Sequence, residues 1–214
     1  MQPFPLLLVR HAAVQVQTGV CYGRSDVALQ PGWESIVGGL AVLARGMPCS
    51  VVYTSPASRC HDMAGRLAQA TGMSMVVDAR LAELDFGQWE GQRWDDVART
   101  QLDAWAADPE GFAPPGGESG RTLRARVGAF WQDIAAKGTA ACVLSHGGPL
   151  RILASLAVGE VPDLLAPSMP QGFARLLTAL PFAGSGQEEA DPQAEVFSLA
   201  RPVHRQRVPL AGSA

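Results

Sequence analysis

The sequence predicts an α/β fold: a mainly parallel sheet flanked by helices in three layers, α/β/α. Three observations predict it. Short apolar runs recur at 6–9, 50–54, 73–77 and 140–144. Longer stretches between them carry apolar residues at helical spacing. Two of the runs end in reactive polar groups, 6–9 in Arg10 and His11 and 140–144 in His146. In open α/β sheets, ligands bind beyond the carboxyl ends of the strands.

The elements follow in chain order. LLLV at 6–9 is a first strand. Over 31–44, Trp33, Val37, Leu40 and Ala44 share a helical face, with Pro31 near the start. SVVYT at 50–54 is a second strand. A helix over 57–70 follows, and Gly72 is placed to end it. Residues 73–77 make a third strand. The stretch 85–118 then breaks the rhythm with Trp89, Trp94, Trp105, several acids and the loop FAPPGGES. It reads as an insertion of short helices covering the active-site end of the sheet. Leu123, Val127, Trp131 and Ile134 mark a long amphipathic helix that stops near Gly138. A fourth strand at 140–144 leads into a helix opened by Pro149. Residues 173–180 and 195–200 add edge strands, joined by the polar loop GSGQEEADPQ. A length of 214 residues fits a single domain, 1–214, carrying the insertion.

Composition narrows the function classes. A hydrophobic share of 47% supplies a sizeable core. A net charge of −3, with no long run of one sign, argues against nucleic acid or a membrane as partner. No apolar run reaches the length of a membrane span. MQPFPLLLV lacks a basic start and meets Arg10 too early for a signal peptide, so a cytoplasmic location is expected. Cys21, Cys49, Cys60 and Cys142 are scattered without metal-ligand spacing, which reads as reduced thiols and no structural zinc.

The chemistry gathers at the strand ends. Gly147 and Gly148 let the chain turn tightly after His146, and Pro149 starts a helix whose first amides can face an anion. TSPASR brings Arg59 to the start of its helix. Two arginines and two histidines thus come to one face. This set suits phosphoryl transfer. Guanidinium groups grip phosphate oxygens, a neutral imidazole attacks phosphorus, and a protonated imidazole holds developing charge. A carboxyl group beside phosphate has its pKa raised and can protonate the leaving alcohol. Glu83 is the first candidate, with Asp85 and Glu90 as rivals.

LVRHAAV, TSPASRC, LAELDFGQWEG, PPGGES and LSHGGPLR, in that order from about residue 6 to 155, resemble the successive motifs of the histidine phosphatase superfamily. The resemblance implies the phosphoglycerate-mutase-like fold. It also implies that His11 is the phosphorylated nucleophile, that Arg10, Arg59 and His146 complete the phosphate pocket, and that Glu83 is the acid. No metal or organic cofactor is implied, and the partner is a small phosphorylated metabolite. CYGRSDVAL, LDFGQWEGQRWDDV and FAPPGGES are similar to the alpha-ribazole phosphatases of the cobalamin pathway, which act on alpha-ribazole 5′-phosphate. A phosphoglycerate mutase-type transferase and a non-catalytic phospholigand-binding protein are the competing readings. Oligomeric state stays open.

Around this core, Gln17, Tyr22, Gly23, Arg24 and Gly147 are the expected substrate contacts. Ala12 stands where the family motif has Gly, and its methyl narrows the space beside a phosphate. Gln17 stands where the family commonly has Asn. His61 points away from the Arg59 face, and His204 belongs to a basic tail with Arg201, Arg205 and Arg207. Trp89 and Trp94 are expected to pack the insertion. Glu118 and Ser119 are expected to cap the long helix.

Overall fold

A computed structural model describes residues 2–181, 194–198 and 206–207. Strand β1 (Phe4–Arg10) has both faces covered. Successive side chains on a strand point to opposite faces. Phe4, Leu6 and Leu8 enter one apolar core, and Leu7 and Val9 enter the other. A strand buried on both faces shows no polar alternation, which is why LLLV reads as an unbroken apolar run. Full burial of each such leucine contributes about 2 kcal/mol.

β2 (Val51–Thr54), β3 (Ser74–Val77) and β4 (Ala141–Ser145) complete a parallel group with β1. β5 (Phe173–Ala179) pairs antiparallel with β1, and β6 (Ala194–Ser198) and β7 (Gln206–Arg207) continue antiparallel. The order is β3-β2-β4-β1-β5-β6-β7, so the sheet is mixed. β5 lies inside the sheet, not at the expected edge, because β1 and β6 pair both of its sides. Ala174, Leu177 and Ala179 are buried accordingly.

Helices α1 (Glu34–Arg45) and α2 (Ser58–Thr71) cover one face of the sheet. In α1, Val37, Leu40, Ala41 and Ala44 form the buried stripe. α2 ends at Gly72, whose φ of 79° lets its amide return to the Ala68 carbonyl at 2.8 Å. The short helix α3 (Arg99–Ala107) belongs to the stretch after β3, together with 3-10 turns at Gly87–Trp89 and Trp94–Asp96. The other face is covered by α4 (Gly120–Lys137) and α5 (Gly147–Ala157). Ser119 caps α4, its hydroxyl accepting from the Thr122 amide at 3.3 Å.

The stretch 85–118 has a small core of its own around buried Trp89 and Val97. Trp94 and Trp105 stack at 6.2 Å with 10° between planes, and Phe86 meets both edge-on. These are favoured aromatic geometries.

The four cysteines are free thiols. Among the described residues, no helix is long and apolar enough to cross a membrane. His204, Arg201 and Arg205 lie outside the described residues.

Leu6→Ala should cost about 2–5 kcal/mol of stability, since its site is sealed between β4 and β5. Val42→Ala, at a side that is 63% exposed, should stay within about 0.5 kcal/mol. Urea unfolding of both variants measures the contrast.

Candidate active site

The register of β1 on β4 builds the site. Arg10 lies opposite Ser145, so the next residue on each strand is a histidine. The His11 amide donates to the Ser145 carbonyl at 3.1 Å and locks that register. The two imidazoles, both buried, sit 5.2 Å apart at 66°. β2 delivers a third group: the Ser55 amide donates to Leu144 O at 3.2 Å, and the Ser55 hydroxyl lies 2.7 Å from His146 Nε2.

The hydrogen bonding of His11 fixes its tautomer. Its Nδ1 is 2.7 Å from the Ala12 carbonyl, which can only accept. Nδ1 therefore carries the proton and Nε2 the lone pair. Burial pushes its pKa down to about 3, with Arg59 and Arg10 acting in the same direction, against the Ala12 hydrogen bond. The imidazole is neutral at any ordinary pH. His146 is likewise held well below its usual value, by burial and then by Arg59, His11 and Arg10. The protein's own groups therefore favour a neutral His146, not the protonated imidazole expected from the sequence.

Ala12 does not intrude on this arrangement. It packs in the core beneath α1 and α2, its amide directed at Met63 Sδ, and it lines neither cavity described below.

Both arginines are aimed by oxygens without formal charge. Arg10 Nη1 donates to Met169 O at 2.6 Å and to the Ser168 hydroxyl at 3.1 Å. Arg59 donates to Gly23 O at 2.7 Å and Ser25 O at 2.8 Å. Among the described residues neither has a carboxylate partner, and the Nε of each is buried without a hydrogen bond. Glu90 in turn holds the 23–25 loop, accepting from the amides of Arg24 and Ser25 at 2.8 and 2.6 Å and from the Ser25 hydroxyl. It also accepts from the Phe86 amide at 3.1 Å. Burial alone would raise its pKa; these hydrogen bonds outweigh that and hold it below the usual carboxylate range.

The rivals of Glu83 are thus committed elsewhere: Glu90 to the loop, and Asp85 to the Gly87 amide at 2.9 Å. The Glu83 carboxylate faces the cavity. It accepts from the Leu84 amide at 3.0 Å and from the Gly148 amide at 3.1 Å, at the start of α5. A Cβ at Gly148 would lie 2.5 Å from Glu83 Oε1, so glycine is what allows this approach.

A cavity of about 440 Å³ opens beside Arg10, His11, Glu83 and Gly147. Tyr22 and Gly23 line it, as does an aromatic wall of Phe86, Trp94 and Trp105. A second recess of about 350 Å³ is lined by Arg24, Arg59 and His146, and Glu83 and Gly23 border both spaces. Arg24 also pairs with Glu118 at 3.3 Å and Asp85 at 3.7 Å. Gln17 is not brought to either space. It is exposed, in a turn closed by the Val20 amide on the Gln17 carbonyl. Trp89 and Trp94 both pack the core of the 85–118 stretch, as expected, and Trp94 also faces the cavity. Glu118 does not cap α4; it bridges Arg24 and Arg126. His61 is half-exposed beside Asp62. Among the described residues no cluster of His, Cys, Asp and Glu is placed to hold a metal ion.

Sequence reasoning passed over Ser55, Ser168, Met169 and Arg126. Ser55 stood at a strand end and could have been found by that position. Ser168 and Met169 reach Arg10 across 158 or more residues of chain and leave no local signal.

The arrangement sets two guanidinium groups and two neutral imidazoles at one end of the sheet, with a carboxylate across the cavity. The chain belongs to the histidine phosphatase superfamily (branch 1), whose profile matches residues 6–181. A bifunctional protein of Mycobacterium tuberculosis is 33% identical over 163 residues, 73% of this chain and 44% of that protein. The chain thus spans less than half the length of the first curated relatives it matches. The glucosyl-3-phosphoglycerate phosphatase of M. tuberculosis is 31% identical over 131 residues, 56% of each chain. The crystal structure of the alpha-ribazole phosphatase of Shigella flexneri superposes with a TM-score of 0.72 at 21% identity, covering 81% of this chain and 89% of that one. That likeness shows the fold. Similar members of the family are phosphatases or phosphoglycerate mutases.

The buried imidazoles carry a pH signature. An unfolded chain takes up a proton at His11 near the ordinary imidazole value of 6.5, and the folded protein refuses it until about 3. Between those values the unfolded state binds more protons, so stability falls as pH falls. His11→Asn should flatten this loss. Urea midpoints compared at about pH 7 and pH 4.5 measure it, with wild type losing more than the variant.

Proposed function

We propose that the chain hydrolyses small phosphate monoesters through a phosphohistidine at His11. The single observation that carries this reading is the tautomer: Nδ1 donates to Ala12 O, leaving the Nε2 lone pair of a neutral imidazole. Arg10 and Arg59 supply guanidinium donors for the phosphate oxygens.

Two steps follow. The His11 Nε2 lone pair forms a bond to phosphorus as the ester P–O bond breaks. The electron pair leaves on the alcohol oxygen, which takes a proton from Glu83. Charge on the equatorial oxygens meets Arg10, Arg59 and His146. The phosphate's own negative charge raises the proton affinity of His146, opposing the two arginines. Glu83, now a carboxylate, then takes a proton from water as the water oxygen bonds to phosphorus. The P–N bond breaks, and inorganic phosphate leaves. No metal takes part in this scheme.

For the alcohol, we favour a nucleoside-like group with a flat ring, and alpha-ribazole 5′-phosphate in particular. The aromatic wall of Phe86, Trp94 and Trp105 supports this, because a flat apolar ring can stack there. So does the likeness of the fold to the alpha-ribazole phosphatase of S. flexneri. Gly23 and Tyr22 would line the phosphate side, and the 85–118 stretch would act as the specificity cover of a single domain.

His11→Ala should abolish phosphate release from every ester, vanadate should inhibit, and a chelator should change nothing. Turnover surviving His11→Ala, or lost to the chelator, contradicts the reading. In a substrate panel alpha-ribazole 5′-phosphate should give the highest kcat/KM, and 3-phosphoglycerate should not be converted to its 2-phospho isomer. Trp94→Ala should raise KM for the ring-bearing ester by about 10-fold, in line with stacking of about 1–3 kcal/mol per ring. Its KM for a small alkyl phosphate should hold.

A further inference from the structure

Arg126, on α4, makes the densest set of hydrogen bonds near the site. Its Nη1 donates to Arg80 O at 2.7 Å and Ala82 O at 2.6 Å. Its Nη2 donates to Glu83 O at 2.9 Å and Glu118 Oε1 at 2.5 Å, and its Nε to Glu118 Oε2 at 3.2 Å. An arginine has five N–H donors, and these contacts use all of them. Arg10 and Arg59 keep a buried, unpartnered Nε each. Arg126 has nothing left to offer a substrate. It can act only through what it holds.

What it holds is the segment that carries Glu83. The carbonyls of 80, 82 and 83 converge on one planar guanidinium, which fixes the path from the 3-10 turn Ala79–Leu81 to the acid. Glu118 fixes the far side. It accepts from the Asp85 amide at 3.2 Å and pairs with Arg24 at 3.3 Å, next to the Gly23 carbonyl that aims Arg59. The Arg126 and Glu118 side chains are 15% and 10% exposed, so solvent screens their pair little. The Glu83 backbone is bracketed by this network, and its carboxylate is fixed by the Gly148 amide.

We propose that Arg126 and Glu118 are positioning residues for proton donation by Glu83. The inference rests on the reading of Glu83 as the acid. A displaced acid harms an ester whose leaving alcohol needs a proton. It barely matters for p-nitrophenyl phosphate, whose leaving group departs as a stable anion. A purely structural role would lower both alike.

The test is kcat/KM on an alkyl phosphate and on p-nitrophenyl phosphate. The proteins are wild type, Arg126→Met, Glu118→Ala, Glu83→Gln and the Arg126→Met/Glu83→Gln double variant. Each of the two positioning variants should lose about 10- to 100-fold on the alkyl ester, the scale of a small misplacement of a reacting group. Each should lose less than about 3-fold on the nitrophenyl ester, because that ester needs little acid catalysis. In the Glu83→Gln background, Arg126→Met should cost nothing further. Thermal melting checks that each variant folds, and Glu118→Ala carries the same test if Arg126→Met does not. Equal losses on both esters, or losses that multiply in the double variant, overturn the inference while Glu83→Gln retains its bias. A Glu83→Gln variant without leaving-group bias overturns the assignment of the acid, and this inference with it.

Discussion

The parallel pairing of β1 with β4 is the constraint on which the site depends. One backbone hydrogen bond, from the His11 amide to Ser145 O, sets two histidines side by side at the end of a rigid sheet. A slip of one residue would turn every side chain of β1 to its opposite face, exchanging Leu6 and Leu8 with Leu7 and Val9 between two filled cores. The apolar packing that stabilises β1 is therefore what aligns the chemistry. Ser55 and Arg59 follow from the same sheet, because β2 pairs with the other side of β4.

Charge is the second constraint. Two arginines and two imidazoles gather at one end of the sheet, Arg10 and His11 on one cavity and Arg59 and His146 on the adjoining recess, and carbonyl and hydroxyl oxygens rather than carboxylates aim the arginines. Buried charge without an opposite partner is costly. Burial, reinforced by the nearby positive charge, keeps both imidazoles neutral. In the proposed reaction a phosphate dianion would reverse the balance, supplying the charge that the arginines lack. The loop that carries the Gly23 and Ser25 carbonyls is held in turn by Glu90, and Glu118 pairs with Arg24 of the same loop, so Arg59 is aimed by fixed dipoles.

Much of this was legible in the sequence because the informative features are local. LLLVRH and ACVLSHGG each join a strand signal to the residue it aims, and Gly72 and Gly138 mark helix ends by a backbone need that glycine meets. The interior position of β5 was not legible, since a strand's neighbours are set by pairing and not by its own pattern. Gln17 shows the limit of transferring a motif position: the turn after it sends the side chain outward. Ala12 shows the reverse. Its methyl looked like an obstacle to phosphate, and the fold buries it in the α1–α2 core. The roles of Ser168 and Arg126 depend on contacts between distant segments, which no local pattern encodes.

The central claim is a covalent bond between His11 Nε2 and phosphorus, and trapping that bond tests it most directly. The protein would be mixed with a phosphate monoester and quenched in alkali, where phosphohistidine survives, and then analysed by mass spectrometry of the intact chain and of the peptide bearing His11. The account predicts an acid-labile phosphoryl group on His11 that forms before alcohol and phosphate release reach steady state. Phosphate release with no phosphorylated chain, or a phosphoryl group on another residue, would contradict it.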